Sequence, residues 1–147
     1  MQIMVTGGAG YIGSHTAVEL LQAGYDVVMV DNFSNSKPDV PDRVKAISGR
    51  DFIFYEADVT DRERMDQIFQ ENQIEAVIHF AGYKAVGESV REPLKYYQNN
   101  ILSTVVLCEV MANYGCRKIV FSSSATVYGN PEKVPIREDF PLSATNP

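Results

Sequence analysis

The stretch MVTGGAGYIG, residues 4–13, decides the fold of this 147-residue chain. An apolar run over Gln2–Thr6 predicts a short strand, and apolar residues at helical spacing from Ile12 predict a helix that ends near Gly24. Between them, Gly7, Gly10 and Gly13 fit G-x-x-G-x-x-G, and Gly8, Gly10 and Gly13 fit G-x-G-x-x-G. Glycines at such a turn permit a close backbone approach to a pyrophosphate, which the amino end of the helix attracts.

A carboxylate follows the second predicted strand. That strand covers Asp26–Val30, and Asp31 comes directly after it, 18 residues beyond Gly13. A carboxylate at this position accepts from both hydroxyls of an adenosine ribose and repels a 2′-phosphate. The pattern therefore predicts a dinucleotide site that prefers NAD to NADP. The alternative interpretation is a glycine-rich turn beside a solvated Asp31.

Strand and helix signals alternate along the rest of the chain. Further strands are predicted over Phe52–Glu56, Ala76–Ala81 and Ile119–Ser122, the last of them as a buried strand. Helices are predicted around residues 43–47, after a capping box at Thr60–Glu63, and from Pro93 to Gly115. This alternation is typical of a parallel sheet covered on both faces. We therefore expect a Rossmann-type α/β fold, a doubly wound parallel sheet forming one NAD-binding domain over residues 1–147.

Composition and charge exclude several classes of function. A net charge of −6 and a pI of 4.8 speak against a nucleic-acid partner, since a phosphate backbone would be repelled. No apolar run approaches the roughly 18 residues of a membrane span, and the N-terminus has no signal-peptide character. Cys108 and Cys116 form no C-x-x-C pair, so we expect reduced structural thiols and no metal site. The expected location is the cytoplasm.

Polar or small residues follow the carboxyl ends of the other predicted strands. Asp58 follows the third strand, Phe80–Gly82 ends the fourth, and Ser122–Ser124 ends the fifth. Ligands of open α/β sheets lie outside these strand ends, near the point where strand order reverses. We therefore expect the serines to be polar because the strand leaves the core for a site. For one or two of them, a helix cap or a turn is the alternative.

Four segments carry a family resemblance: TGGAGYIGSH (6–15), DNFSNS (31–36), FAGYKAVGESV (80–90) and SSSATVYG (122–129). Together they resemble the N-terminal half of the bacterial UDP-glucose 4-epimerases, which are extended short-chain dehydrogenase/reductases. The resemblance covers essentially all 147 residues, with motifs in the same order and at the same spacing. The last two segments are narrower than the glycine motif, and they point to galactose-type epimerases rather than to sugar-nucleotide dehydratases.

The resemblance implies a role for each matching residue. NAD would contact the glycine turn at its pyrophosphate, the segment after the second strand at its adenosine ribose, and the ends of the other strands at its adenine and nicotinamide. In that order the residues are Gly7, Gly10, Tyr11, Ile12 and Gly13; Asp31, Asn32, Asn35 and Ser36; Asp58 and Val59; and Phe80, Ala81, Gly82, Lys84 and Asn99. Ser124 would bind the 4-hydroxyl of the UDP-sugar as the catalytic and substrate-binding serine.

Some of these residues also have simpler interpretations. Asn99 and Asn100 are poor helix formers in the middle of a predicted helix, which favours a polar role, although two solvent-facing asparagines are the alternative. Lys84 follows the strand-end Gly82 closely but fits a surface lysine as well. His79 inside the fourth strand is interpreted as a core histidine.

The implied activity is the interconversion of UDP-glucose and UDP-galactose by transient NAD-dependent oxidation at C4 of the sugar. The family's base is the tyrosine of a Y-x-x-x-K motif, which we expect just after Pro147, together with a substrate domain absent from this chain. Tyr128 is no substitute, because Glu132 stands where the motif has lysine. The chain alone is therefore expected to be inactive. Alternatives are a non-catalytic NAD-binding module or an epimerase for another UDP-sugar, and the resemblance also suggests a homodimer.

Overall fold

The computed structural model describes residues 1–147 and contains one parallel sheet with helices on both faces. In chain order the elements are β1 (Gln2–Thr6), α1 (Tyr11–Gln22), β2 (Asp26–Asp31), α2 (Val40–Ser48), β3 (Ile53–Glu56), α3 (Arg62–Glu71), β4 (Ile74–His79), α4 (Val86–Arg91), α5 (Pro93–Asn113), β5 (Ile119–Phe121) and the short 3-10 helix η1 (Ala125–Tyr128). None of the helices combines the length and apolar composition needed to cross a membrane.

The sheet has the strand order β3-β2-β1-β4-β5, with every neighbouring pair parallel. The chain therefore builds outward from β1 in one direction, returns, and continues outward on the other side through β4. The reversal lies between β1 and β4, where a crevice opens beyond the carboxyl ends of the strands. This confirms the predicted doubly wound Rossmann-type fold.

Two hydrophobic cores hold the helices against the sheet. The larger lies under α3 and α5, where Val28 and Val30 of β2 meet Ile68 and Leu107. The smaller lies under α1 and α2 and contains Met29 of β2 among its members. Successive side chains of a strand point to opposite faces, so β2 supplies both cores. This explains why its sequence, DVVMVD, is a continuous apolar run rather than an alternating one.

The predicted capping box at the start of α3 is wrong by one residue. The N-cap of α3 is Asp61, whose carboxylate accepts from the Arg64 N–H. Thr60 instead donates its hydroxyl to Asp58 at 2.7 Å, and its N–H bonds the same oxygen. Asp58 thus diverts the threonine from the helix, while the predicted helix face of Met65, Ile68 and Phe69 is buried as expected.

The fourth strand begins and ends two residues earlier than predicted. Its pairing with β1 stops at Thr6 opposite His79, because β1 itself enters the glycine turn at Gly7. Helix α4, which was not predicted, follows after a short loop. Its sequence VGESVR is a weak helix signal, and the buried Ser89 and the bonds of Glu88 to Lys95 and Tyr96 on α5 support it. That support comes from tertiary contacts.

The prediction that the fifth strand is buried is wrong. Ile119, Val120 and Phe121 are 40%, 62% and 54% exposed. They form the last strand of the sheet, so β4 is their only strand neighbour. An apolar, β-branched run identifies a strand but not its number of neighbours.

Candidate functional site

A cavity of about 370 Å³ opens at the carboxyl ends of the strands and is lined by 22 residues. All sixteen residues for which the family resemblance implies cofactor contacts line it: Gly7, Gly10, Tyr11, Ile12, Gly13, Asp31, Asn32, Asn35, Ser36, Asp58, Val59, Phe80, Ala81, Gly82, Lys84 and Asn99. Six lining residues had no predicted cofactor contact: Val30, Ser34, Ala57, Tyr83, Ser103 and Ser122. Of these, Ser122 belongs to the serine run that was expected at the site. Ser34 could have been found from its place between Asn32 and Asn35, whereas Ser103 carries no local signal.

The glycine turn brings main chain, rather than side chains, to the floor of this cavity. Gly7 has a φ of +66°, and a Cβ built on it would lie 2.7 Å from the main-chain nitrogen of Ala81. A Cβ on Gly13 would collide with the carbonyl oxygen of Gly7. Gly10, the N-cap of α1, has no side chain to cap the helix. The first N–H groups of α1 therefore remain open to an anion.

Asp31 joins the glycine turn to the loop after β2. It is 8% exposed, and its Oδ2 accepts from the Ala9 N–H at 3.0 Å. Its Oδ1 accepts from the Phe33 N–H at 2.9 Å and from the Ser36 hydroxyl at 2.7 Å. A carboxylate has about four acceptor positions, so roughly one stays open. Two ribose hydroxyls can therefore both bind only when the Ser36 hydroxyl turns away.

Asp58 is a second acidic residue in the cavity wall. Its Oδ1 accepts from the Thr60 N–H and hydroxyl, and its Oδ2 accepts from the Asn32 amide at 2.8 Å. Burial opposes ionisation of this carboxyl, but the hydrogen bonds from Thr60 and Asn32 outweigh it and hold its pKa below the usual range. Asp58 is therefore a carboxylate at neutral pH, and its side chain is held by three hydrogen bonds.

Lys84 is the only basic side chain that lines the cavity. Burial lowers the pKa of its ammonium, and the chain provides it with no carboxylate within salt-bridge distance. An unpaired cation beside Gly82 is suited to an acceptor group brought in by a ligand. No group of three His, Cys, Asp or Glu side chains is arranged to hold a metal ion.

The serine run divides between the cavity and a local turn. Ser122 lines the cavity, whereas Ser124 does not. Ser124 is the N-cap of η1: its Oγ accepts from the Thr126 N–H and lies 2.8 Å from the Thr126 hydroxyl. The turn interpretation therefore holds for Ser124 in this chain, and its contact with a sugar hydroxyl stays a prediction.

His79 is a core histidine, as predicted, and the structure identifies its partners. It is 1% exposed, with Nδ1 2.6 Å from the Thr6 hydroxyl and Nε2 3.3 Å from the Thr104 hydroxyl. Its ring lies against Phe121, with 5.7 Å between centroids. Burial, and secondarily the charge of Lys84, lowers the pKa of His79 from 6.5 to about 4. The imidazole is neutral at physiological pH.

The two tyrosines whose surroundings come near the Y-x-x-x-K pattern, Tyr114 and Tyr128, do not line the cavity. Tyr128 lies on η1 and does not line it. Tyr114 and Lys118 also have the motif spacing, but they precede β5 and so lie at the opposite end of the strands. The Tyr114 hydroxyl donates to Asp66 on α3, and burial followed by this bond raises the pKa of Tyr114. Neither tyrosine can act as a base in this cavity.

Comparisons with known proteins agree with this geometry. The sequence pattern of the family described as GDP-mannose 4,6 dehydratase matches residues 4–147. A UDP-glucose 4-epimerase of Bacillus subtilis is 67% identical over 147 residues, which are 100% of this chain and 43% of that protein. The chain thus spans less than half the length of this relative.

Solved structures give the same result. A UDP-glucose 4-epimerase from Bifidobacterium longum, crystallised in complex with NAD+ and UDP, has a TM-score of 0.97 and 53% identity, covering 100% of this chain and 44% of that one. One from Stenotrophomonas maltophila, with bound NAD and formylated UDP-arabinopyranose, has a TM-score of 0.95 and 47% identity, covering 99% and 44%. The fold, the family pattern and these similarities together establish that the chain belongs to the GDP-mannose 4,6 dehydratase family, in which its relatives here are UDP-glucose 4-epimerases.

Proposed function

We propose that this chain forms the NAD-binding part of a UDP-glucose 4-epimerase, which interconverts UDP-glucose and UDP-galactose. The observation that carries the proposal is the single cavity at the strand-order reversal, which has the glycine turn at its floor and Asp31 in its wall. Ligand sites of open α/β sheets occur at this place. The printed ligands of the similar epimerase structures, NAD and UDP, support the choice of cofactor and substrate class.

The residues present fit NAD at its adenosine end. Asp31 has about one acceptor position open and gains a second when the Ser36 hydroxyl turns toward the ligand. The same carboxylate opposes a 2′-phosphate, because two negative charges would meet in a nearly buried place. Asp58 and Val59 flank the next part of the wall, where they would hold the adenine.

The glycine turn fits the pyrophosphate. The absence of a Cβ at Gly7 and Gly13 lets the turn pack closely against Ala81 and against itself. The N–H groups of the first turn of α1, which no side chain caps, would bind the phosphates. At the far side, Lys84 and Asn99 present a cation and a carboxamide to the nicotinamide riboside. NAD, when bound, would accept and return the hydride of a transient oxidation at C4 of the sugar.

Ser124 would serve the sugar by donating one hydrogen bond. Its Oγ already accepts from the Thr126 N–H. When the Thr126 hydroxyl donates to the same oxygen, both acceptor positions of Ser124 are taken and its proton is free for O4 of the sugar. The η1 turn would thus orient the proton of Ser124 rather than compete for it. Neither Tyr114 nor Tyr128 would be the base that abstracts the proton, since neither lines the cavity.

Two finer points belong to the same proposal. A homodimer would pair copies of α5, and the support is that Leu94, Tyr97 and Ile101 are exposed along one helix. A cytoplasmic location is supported by two unpaired thiols, Cys108 and Cys116, of which the second is buried.

Cofactor titration tests the binding half of the proposal. Calorimetry of the 147-residue chain with NAD and with NADP is expected to show tighter binding of NAD. Asp31→Asn removes the charge and is expected to narrow the ratio of the two affinities roughly 10- to 100-fold, the effect of one hydrogen bond to a charged group. Asp26→Asn, at the opposite end of β2 and exposed, is the matched control and is expected to leave the ratio unchanged. Equal affinity of the unaltered chain for both cofactors contradicts the assignment of Asp31.

A turnover assay tests the catalytic half. A full-length protein carrying this domain is expected to form UDP-glucose from UDP-galactose in a coupled assay, and Ser124→Ala to lower its kcat by roughly 10²–10⁴. Ser123→Ala is the control for the same run of hydroxyls. NAD binding without any turnover in the full-length protein favours the non-catalytic module instead.

A further inference from the structure

Asn100 stands behind the wall of the cavity and bonds both main-chain groups of one residue. Its Oδ1 accepts from the Tyr83 N–H at 2.8 Å, and its Nδ2 donates to the Tyr83 carbonyl oxygen at 3.0 Å. Tyr83 comes after the end of β4, where the main chain has lost its pairing with β1. The carboxamide thus replaces a neighbouring strand at the point where the sheet stops.

The segment held in this way forms one side of the cavity. Gly82, Tyr83 and Lys84 all line it, as does Asn99. A Cβ on Gly82 would lie 3.2 Å from Asn100 Oδ1 and 3.5 Å from Lys84 Nζ, so Gly82 is packed between these two side chains. The Asn99 Nδ2 also donates to Asn100 Oδ1, at 2.9 Å. One oxygen atom therefore orients two elements of the wall.

Asn100 is itself anchored to the centre of the sheet. The Thr104 hydroxyl donates to the Asn100 carbonyl oxygen at 2.9 Å, which leaves its oxygen to accept from His79 Nε2. His79 Nδ1 then accepts from the Thr6 hydroxyl, one residue before the glycine turn. This tautomer follows from the partners on both sides of the ring. A continuous set of hydrogen bonds thus joins β1, β4 and α5 and ends at Asn100.

We propose that Asn100 is a positioning residue: it acts through Gly82, Tyr83, Lys84 and Asn99 to set the geometry that receives the nicotinamide riboside end of the dinucleotide. The role rests on the proposed function. It differs from that of Asn99 and Lys84, which would touch the ligand, because Asn100 has no surface in the cavity. Its effect is therefore confined to one end of the ligand, whereas Asp31 and the glycine turn serve the other end.

Paired titrations with NAD and with ADP, which lacks the nicotinamide riboside, test this role. Asn100→Ala is expected to weaken NAD binding by about tenfold, the size of one ordinary hydrogen bond, and to leave ADP binding unchanged. Asn100→Asp keeps the acceptor for the Tyr83 N–H and is expected to lose less. Gln98→Ala, which removes an exposed carboxamide from the same helix, is the matched control.

Hydrogen exchange at the Tyr83 amide gives a readout that needs no ligand. Asn100→Ala is expected to accelerate this exchange while amides in the centre of β1 and β2 stay protected. Unchanged NAD affinity in Asn100→Ala, or equal losses for NAD and ADP, overturns the positioning role, since equal losses mean a general loosening of the fold. A wild-type chain that binds neither ligand overturns the proposed function and this role with it, so the two failures are distinct.

Discussion

The centre of the sheet, at β1 and β2, and its β5 edge have similar local sequences and different surroundings. Each is an apolar strand followed by small or polar residues, GGAG after β1 and SSS after β5. In β1 and β2 the inner residues are at most 4% exposed, whereas all three residues of β5 are at least 40% exposed. The glycine turn is joined to Asp31 by the hydrogen bond from the Ala9 N–H, but Ser124 bonds only within its own turn. The same local pattern thus gives buried, hydrogen-bonded strand ends at the centre of the sheet and exposed ones at its edge.

The cause of this difference is the number of neighbouring elements. Each of β1 and β2 is paired on both sides and covered on both faces, so their side chains and their polar ends meet partners from several parts of the chain. β5 meets β4 alone. His79 contacts both regions, through Thr6 on one side and Phe121 on the other.

The largest expected effect comes from the glycine turn, by Gly7→Ala. The change puts a Cβ against the Ala81 main chain and forces alanine into a left-handed conformation, so we expect a loss of about 3–4 kcal/mol in the free energy of unfolding and no measurable NAD binding. Gly115→Ala has a similar φ of +70° but nothing within 4 Å, and is expected to cost only about 1–2 kcal/mol. Urea unfolding compares them, and equal losses would mean that the close approach of Gly7 contributes nothing.

The burial of His79 between Thr6 and Phe121 is tested by the dependence of stability on pH. The pKa of His79 falls from 6.5 to about 4 on folding, so between these values the unfolded chain binds a proton there that the folded chain does not. Stability is therefore expected to decline as pH falls through this window, by about 3 kcal/mol for this residue once pH is below 4.

His79→Gln is expected to flatten that part of the profile of unfolding free energy against pH. The exposed His15 on α1 supplies the control, because His15→Gln leaves the buried hydrogen bonds intact. A His79→Gln profile that runs parallel to the wild-type profile from pH 7 to 4 would show that the imidazole is already solvated in the folded chain.

The smallest effects come from matched truncations of strand residues. Val28→Ala in β2 removes methyl groups from a fully buried place and is expected to cost about 2 kcal/mol. Val120→Ala in β5, at 62% exposure, is expected to stay within about 0.5 kcal/mol. Denaturant unfolding at one pH compares the two. A loss at Val120 as large as that at Val28 would mean that β5 is covered in solution.

Much of the cavity was predictable because its residues follow strands at short, fixed distances. Asp31 comes directly after an apolar run and Gly7 opens the turn after β1, so local sequence was enough to place both. Tyr83 and Ser103 were missed, since neither has a signal of its own: the first is positioned by Asn100 and the second lies on a long helix. Ser124 was predicted as a site residue from the family resemblance. Its role as the N-cap of η1 became visible only in the folded structure.

The sequence by itself determined the alternation of strands and helices, the glycine turn and the acidic residue after β2. These depend on side-chain periodicity and on backbone freedom, which act within a few residues of one another. Only the tertiary structure decided that β5 is an exposed edge, that Asp58 diverts Thr60 from capping α3, and that Asn100 holds Tyr83. These features depend on which strands become neighbours and on hydrogen bonds between distant segments, such as Thr6 with His79, 73 residues apart. Local periodicity carries no information about such partners, because they meet only when the sheet has formed.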